Sequence, residues 1–198
     1  LRNIDYLLMS HNHRDHCDSG SLKIVAANNP EIKVLTGLGQ ETLLSKIFNP
    51  QHIQSAGWFQ QFNLEEEQIK ITYTPSRHWS KRWLNDDNKT LWGGFMIKYG
   101  EKKIYFMGDS GYGDHFKMIA EVFPQPDYCL MGVGAFRPEW FMGPSHISPV
   151  NAVKAFNEMQ GKNLIPMHYA TFDLSDEPIS EPLRILQDLE AKNEIIGN

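Results

Sequence analysis

Directly after an apolar run at positions 4–9 the chain reads HNHRDHCD, which places His11, His13, Asp15 and His16 within six positions. Imidazole nitrogens and carboxylate oxygens are the donors that Zn²⁺ and its borderline neighbours take. In an extended segment alternate side chains project to one side, so His11 and His13 can reach one ion. The chain then turns, and Asp15 and His16 can face a second ion. With eight histidines in 198 residues, three in six positions is a concentration that a polar surface loop does not produce by chance.

Further donors are expected where later strands end. His78 follows a run at 69–74 that is closed by Pro75, Asp109 follows 104–108 in the glycine-rich turn GDSGY, and His168 ends 164–167. The set divides into His11, His13 and His78 for one metal and Asp15, His16 and His168 for the other, with Asp109 bridging. Two divalent ions are therefore the expected cofactors, zinc first, with manganese and iron also compatible with such donors. His146 is surplus to both sets.

The elements that must carry these residues alternate along the chain. Apolar runs at 4–9, 32–35, 69–74, 95–99, 103–107, 128–133 and 164–168 predict strands. Helices are expected at 21–28, 40–47, 115–122, 149–159 and 181–192. Ser148-Pro149 is a cap followed by proline at the first helical position, and Asp114 is placed to cap the helix after it. One mixed α/β domain over 1–198 follows. The chain opens Leu1-Arg2-Asn3, without a methionine and almost at once in a strand, which reads as a piece of a longer protein.

Composition is that of a globular protein, 41% hydrophobic and 22% charged, with a net charge of -5 and pI near 5.9 that do not favour a nucleic-acid partner. Cys17 and Cys129 make no disulfide or metal-knuckle spacing. No run approaches the ~18 apolar residues of a membrane span.

The segments SHNHRDHCD, TPSRHWSKRWLNDDNKTLWGGFMI, FMGDSGYG, GAFRPEWFMGPSHISPVNAV and MHYATF occur in this order. Together they resemble the metallo-β-lactamase superfamily and, within it, the family of N-acyl-phosphatidylethanolamine-hydrolysing phospholipases D and their bacterial relatives. The first segment alone marks the superfamily; the stretches HWSKR to KTLWG and PEWFM to His146 mark the phospholipase branch. The resemblance implies an α/β fold of the αββα sandwich type, here without its first N-terminal strands. Arg14, Ser145 and Tyr169 depart from the residues of the family's mammalian member and are expected to line the substrate pocket.

The resemblance also implies hydrolysis of a phosphodiester, with hydroxide from a water shared by two metals attacking phosphorus. A phospholipid carrying an N-acylethanolamine group is the expected substrate. Asp15 and His146 are the candidate catalytic residues, and Arg14, Ser145 and His146 the candidate substrate contacts, His146 serving to position substrate or to protonate the leaving group. A hydrolase of the same fold acting on a sugar-phosphate lactone, a cyclic nucleotide or RNA is the second reading, disfavoured by the branch-specific segments and, for RNA, by the acidic balance; a metal-binding piece without activity is the third. Trp79, Trp83, Trp92 and Trp140 with Lys81 and Arg82 could face a lipid surface in peripheral association, although core packing is expected for at least two of the tryptophans. His52 and His115 read as solvated, and Asp86 and Asp87 as a hairpin turn.

Overall fold

The computed structural model describes residues 1–197. In chain order the elements are β1 (Tyr6–Met9), α1 (Ser19–Asn28), β2 (Lys33–Gly37), α2 (Glu41–Leu44), β3 (Ile53–Ala56), β4 (Ile69–Thr74), β5 (Gly94–Tyr99), β6 (Lys102–Phe106), α3 (His115–Val122), β7 (Tyr128–Gly132), α4 (Glu139–Met142), α5 (Pro149–Glu158), β8 (Leu164–Met167) and α6 (Glu181–Ala191). β1, β2 and β3 form a parallel sheet. A second sheet runs β4-β5-β6-β7-β8, antiparallel through the first three strands and parallel from β6 onward.

Alternation along the strands sorts the core into layers. Tyr6 and Leu8 of β1, Leu35 of β2, Ile71 and Tyr73 of β4 and Phe95 of β5 meet between the two sheets. Their neighbours Leu7, Met9 and Val34 point the other way, onto Leu22 of α1 and Leu44 of α2. Met96, Tyr105, Cys129 and Met131 cover the outer face of the second sheet, against Phe116 and Ile119 of α3, Phe156 of α5 and Leu189 of α6. Side chains of a strand alternate faces, so strands apolar on both sides must be sandwiched on both sides. The result is helices, sheet, sheet, helices: the αββα sandwich.

Three differences from the sequence reading have physical causes. β3 was not expected, because IQSA is short and half polar; it is held as a parallel edge strand on β2. α4 falls where a loop was expected, a single turn over EWFM. Asp114 takes the cap position of α3 but its side chain makes no capping bond, whereas Ser148 accepts from the Asn151 amide at 3.4 Å.

One polar anchor joins the strands of the second sheet. Asp127, 4% exposed, accepts from the Lys103 amide at 2.9 Å and from the ammonium groups of Lys162 and Lys102 at 3.0 and 3.3 Å. The Lys103 amide, then the Lys162 ammonium, hold its carboxyl down to about 2. A carboxylate with a depressed folded-state pKa stabilises above its unfolded value near 3.9 and loses that contribution as pH falls through the folded value. Asp127→Asn is therefore expected to be less stable than wild type at pH 7, the gap closing between about pH 4 and pH 2. Denaturant midpoints for both proteins across that range would test it; a gap that stays constant would refute the assignment.

Candidate metal centre

The C-terminal ends of β1, β4, β6 and β8 open onto one pocket, and each delivers donors. β1 ends at Met9, and Ser10 to His13 continue extended before a turn in which the amides of His16 and Cys17 bond the His13 carbonyl at 3.2 and 2.8 Å. Asp18 then caps α1 through the Ser21 amide at 2.7 Å. The loop is clasped from outside by Arg82, whose guanidinium donates to the carbonyls of Asn12 and Cys17 at 3.1 and 2.9 Å and to Ser19 Oγ at 2.9 Å. Arg82 thus faces the protein and not a lipid surface, and Lys81 pairs with Asp87 at 2.8 Å.

Glycines let the other strands come close. A Cβ at Gly93 would sit 2.3 Å from the Thr74 carbonyl, and one at Gly94 2.3 Å from that of Phe106. Gly108 has φ +66, and a Cβ there would lie 2.7 Å from the Gly93 carbonyl and 3.1 Å from Ser10 Cβ. Only glycine adopts that conformation freely at such proximity. This packing carries Asp109 against the loop that follows β1.

Three imidazole nitrogens converge. His13 Nδ1 lies 2.9 Å from His11 Nε2 and 3.1 Å from His78 Nε2. Donors at the corners of a tetrahedron stand about 3.3 Å apart when each is ~2.0 Å from the ion. His78 Nδ1 donates to the Ser145 carbonyl at 2.9 Å, which leaves Nε2 with its lone pair toward the group. His11 Nδ1 is held by Ser10 Oγ at 3.1 Å. Such outer partners are how ligating histidines are oriented.

A second group, Asp15, His16, Asp109 and His168, has all its donor atoms within 4.8 Å of one another. Asp109 Oδ2 is 3.1 Å from His16 Nε2, 3.9 Å from His78 Nε2 and 4.0 Å from His11 Nε2, while Oδ1 is 3.3 Å from His168 Nε2. One carboxylate therefore faces both groups. His168 is held in the left-handed region, φ 60, beside Gly134, where a Cβ would meet the His168 carbonyl at 2.2 Å. A histidine kept in that conformation is strain concentrated at the pocket. The donors fit metal chemistry: lone pairs converge at short range, and a buried carboxylate has imidazoles on every side.

His146 lies in the same pocket, its Nδ1 3.8 Å from Asp109 Oδ2 and its ring stacked on His168 with centroids 5.7 Å apart. Ser145 is present through its carbonyl on His78. Arg14 turns outward, its guanidinium 5.3 Å above the Trp83 ring, and Tyr169 packs half-buried on the core. Trp79, Trp83 and Trp140 are exposed, 40%, 62% and 82%, and Trp92 is half-buried, so the expectation that at least two of these four pack in the core does not hold. The carboxylate of Asp86 bonds the Arg82 and Trp83 amides at 3.0 and 2.8 Å, a turn as expected.

His115, read from sequence as solvated, is half-buried beneath the Asp109 turn. Its Nε2 lies 3.0 Å from Ser110 Oγ, which also accepts from the Arg77 amide at 2.9 Å, and burial followed by the Arg77 charge pushes its pKa down to about 4. Sequence reasoning also missed Ser10, Arg82 and the Ser145 carbonyl, since orientation of a ligand by a distant backbone atom leaves no motif.

The two groups differ in charge. Burial depresses His11, His13 and His78, the last to about 3, so all three are neutral near pH 7. At His16 burial pulls the same way, but the carboxylates of Asp109 and Asp15 prevail and raise it to about 10. An ion entering the second group must displace the His16 proton; an ion entering the first displaces none. Apparent affinity of the second group is thus expected to rise about tenfold per pH unit through neutrality, while the first stays flat. Competition of the metal-depleted protein with a chelator between pH 6.5 and 8.5 would show it. Two pH-independent steps would refute it.

Residues 1–169 match the family model described as the β-lactamase superfamily domain. The chain is 32% identical over 201 residues to N-acyl-phosphatidylethanolamine-hydrolyzing phospholipase D 1 of Caenorhabditis elegans, covering 96% of this chain and 55% of that protein. To the mitochondrial N-acyl-phosphatidylethanolamine-hydrolyzing phospholipase D of Saccharomyces cerevisiae it is 31% identical, covering 93% and 40%. It thus spans about half the length of these relatives. Among solved structures it is similar to Igni18, a metallo hydrolase of the archaeon Ignicoccus hospitalis, with TM-score 0.69, 21% identity, and 94% of this chain and 72% of that one covered.

Proposed function

The chain belongs to the β-lactamase superfamily, and from that premise we propose that it is a dinuclear metal-dependent hydrolase cleaving a phosphodiester, with an N-acylethanolamine phospholipid as substrate. The observation that carries the reading is the pair of donor groups sharing Asp109; the likeness to two phospholipases D supports the substrate. His11, His13 and His78 would hold one ion, and Asp15, His16 and His168 the other, with Asp109 between them. Divalent ions held there supply Lewis acidity toward a phosphoryl oxygen and a water acidified toward neutral pKa, with zinc, manganese and iron all compatible with the donors.

The chain's own residues do the rest. Asp15 and Asp109 place negative charge where cations must sit, and the two carboxylates keep the imidazoles of His16 and His168 turned toward the pocket. His146, beside both groups and 18% exposed, is placed to hold a proton for the departing alkoxide or to position the phosphate. Ser145 orients His78 through its carbonyl and adjoins His146 in the chain, which makes it a candidate substrate contact. Trp83, Leu84, Trp140 and Phe141 are exposed large apolar residues suited to peripheral contact with a lipid surface, and among the described residues no helix is long and apolar enough to cross a membrane. The acidic balance weighs against RNA as substrate.

The test is product release by the metal-loaded full-length protein. Labelled N-acyl-phosphatidylethanolamine should give N-acylethanolamine and phosphatidate, one water adding across the cleaved P–O bond. Rapid turnover of bis-p-nitrophenyl phosphate without lipid cleavage would point to another phosphodiester, and turnover of neither would leave a metal-binding protein.

A further inference from the structure

A cavity of about 430 Å³ adjoins the donor groups, walled by Ala135, His168, Tyr169, Phe172, Leu174 and Ile179. Its size falls in the range of roughly 300–1,000 Å³ that holds a small organic group. His168 belongs to both places: its Nε2 faces Asp109 at 3.3 Å, and its body forms part of the cavity wall. A phosphodiester seated at the donor groups therefore has this cavity as its immediate neighbour.

The wall is apolar yet uncovered. Phe172, Leu174 and Ile179 are 65%, 51% and 69% exposed, a grouping that water disfavours. The backbone there is also constrained, since Ala135, His168 and Ala170 all have φ near 60 (60, 60 and 58). Non-glycine residues in that region persist where surroundings over-determine them, and such strain gathers at ligand sites.

The segment that forms the wall is pinned from behind. Glu177 accepts from three consecutive amides, those of Ala135, Phe136 and Arg137, at 2.5, 3.3 and 3.0 Å, and Arg137 pairs with Glu181 at 2.7 and 3.0 Å. The Glu177 carboxylate is thus engaged by backbone amides, and Phe172, Leu174 and Ile179 supply the large apolar side chains of the lining. Among the described residues lining it there is no lysine or arginine, while Asp173 and Glu177 are present, so a phosphate is the wrong occupant and an uncharged chain the right one.

We propose that this cavity binds the acyl chain of the substrate, with Phe172, Leu174 and Ile179 setting which chain lengths are accepted. The proposal rests on the lipid phosphodiesterase reading above. Each methylene buried there should raise kcat/KM about fourfold until the cavity is full. Leu174→Asp puts a charge on the wall, and Ile179→Trp fills the space without one, so a folding defect in one leaves the other informative.

Two measurements on the full-length, metal-loaded protein separate the claims. In the first, kcat/KM is compared for N-acylated phospholipids of increasing N-acyl length. The wild-type slope should flatten in both variants, and a slope unchanged in both would overturn the cavity assignment while leaving the activity standing. In the second, N-phenyl-1-naphthylamine fluorescence reports binding without any reaction. The probe should bind wild type, leave when N-palmitoylethanolamine is added but not N-acetylethanolamine, and bind both variants at least fivefold more weakly. Probe behaviour of that kind without lipid cleavage would keep an apolar-chain site and remove the phospholipase reading. No binding to wild type would overturn the proposal.

Discussion

Asp109→Ala is expected to cost the protein one or both bound metal ions and to lower hydrolysis by about 10²–10³-fold, the loss that follows removal of a key group from a preorganised site. The argument starts from geometry. Asp109 is the carboxylate within 4.0 Å of His11, His16, His78, His146 and His168, on both sides of the pocket. Burial alone would push its carboxyl up, but the hydrogen bond from His16, followed by the charge of His168, holds it well below the usual carboxylate range. It is therefore ionised near neutral pH and is the negative charge that faces both donor groups.

Two readouts besides activity make that prediction sharp. Elemental analysis should fall from close to two ions per chain toward one or none. In the metal-free variant the His16 imidazolium, deprived of its strongest partner, should titrate well below its wild-type value near 10, which histidine NMR would follow. Asp109→Asn should shift His16 in the same sense while preserving volume, so a collapse of the fold cannot imitate the result. Two ions in the variant, with His16 unmoved, would show that the donors do not share this carboxylate.

How much of this was legible in the chain differs by kind of interaction. A mixed α/β domain could be read because buried strands such as β2 and β5 are short continuous apolar runs set between helical stretches, a local signal, whereas the αββα layering came from the family resemblance. The donor residues could be read because four of them fall within six positions and the other three each follow an apolar run. β3 could not, because nothing in IQSA announces a strand before β2 offers it an edge. Likewise the clasp of Arg82 joins residues 65 and 70 positions apart, and the bond between Ser110 and His115 gives a histidine beside a helix start a buried environment that its own neighbours do not announce. Interactions made by tertiary approach leave no spacing in the sequence.

His146 has three roles open to it by position, and His146→Ala is expected to separate them. The histidine is surplus to the two donor groups, but the structure also sets it with His78 and Asp109 as three residues able to hold one ion. If it serves as a proton donor or positioning group, the variant keeps its metal and loses about 10²–10⁴-fold in kcat, the range for losing one general acid. Burial lowers its pKa below the ordinary value, against the opposing charge of Asp109, so it is mostly neutral at pH 7 in the metal-free protein. A neutral imidazole donates its single N–H to a leaving oxygen or to phosphate equally well, so leaving-group dependence must tell these apart. For a substrate with a p-nitrophenolate leaving group, which needs no proton, a general acid's removal should cost little, whereas a positioning group's removal should cost as much as with an alkoxide leaving group. Metal content falling in parallel with activity for both substrates would instead make His146 a ligand, and equal activity in variant and wild type would remove it from the chemistry altogether.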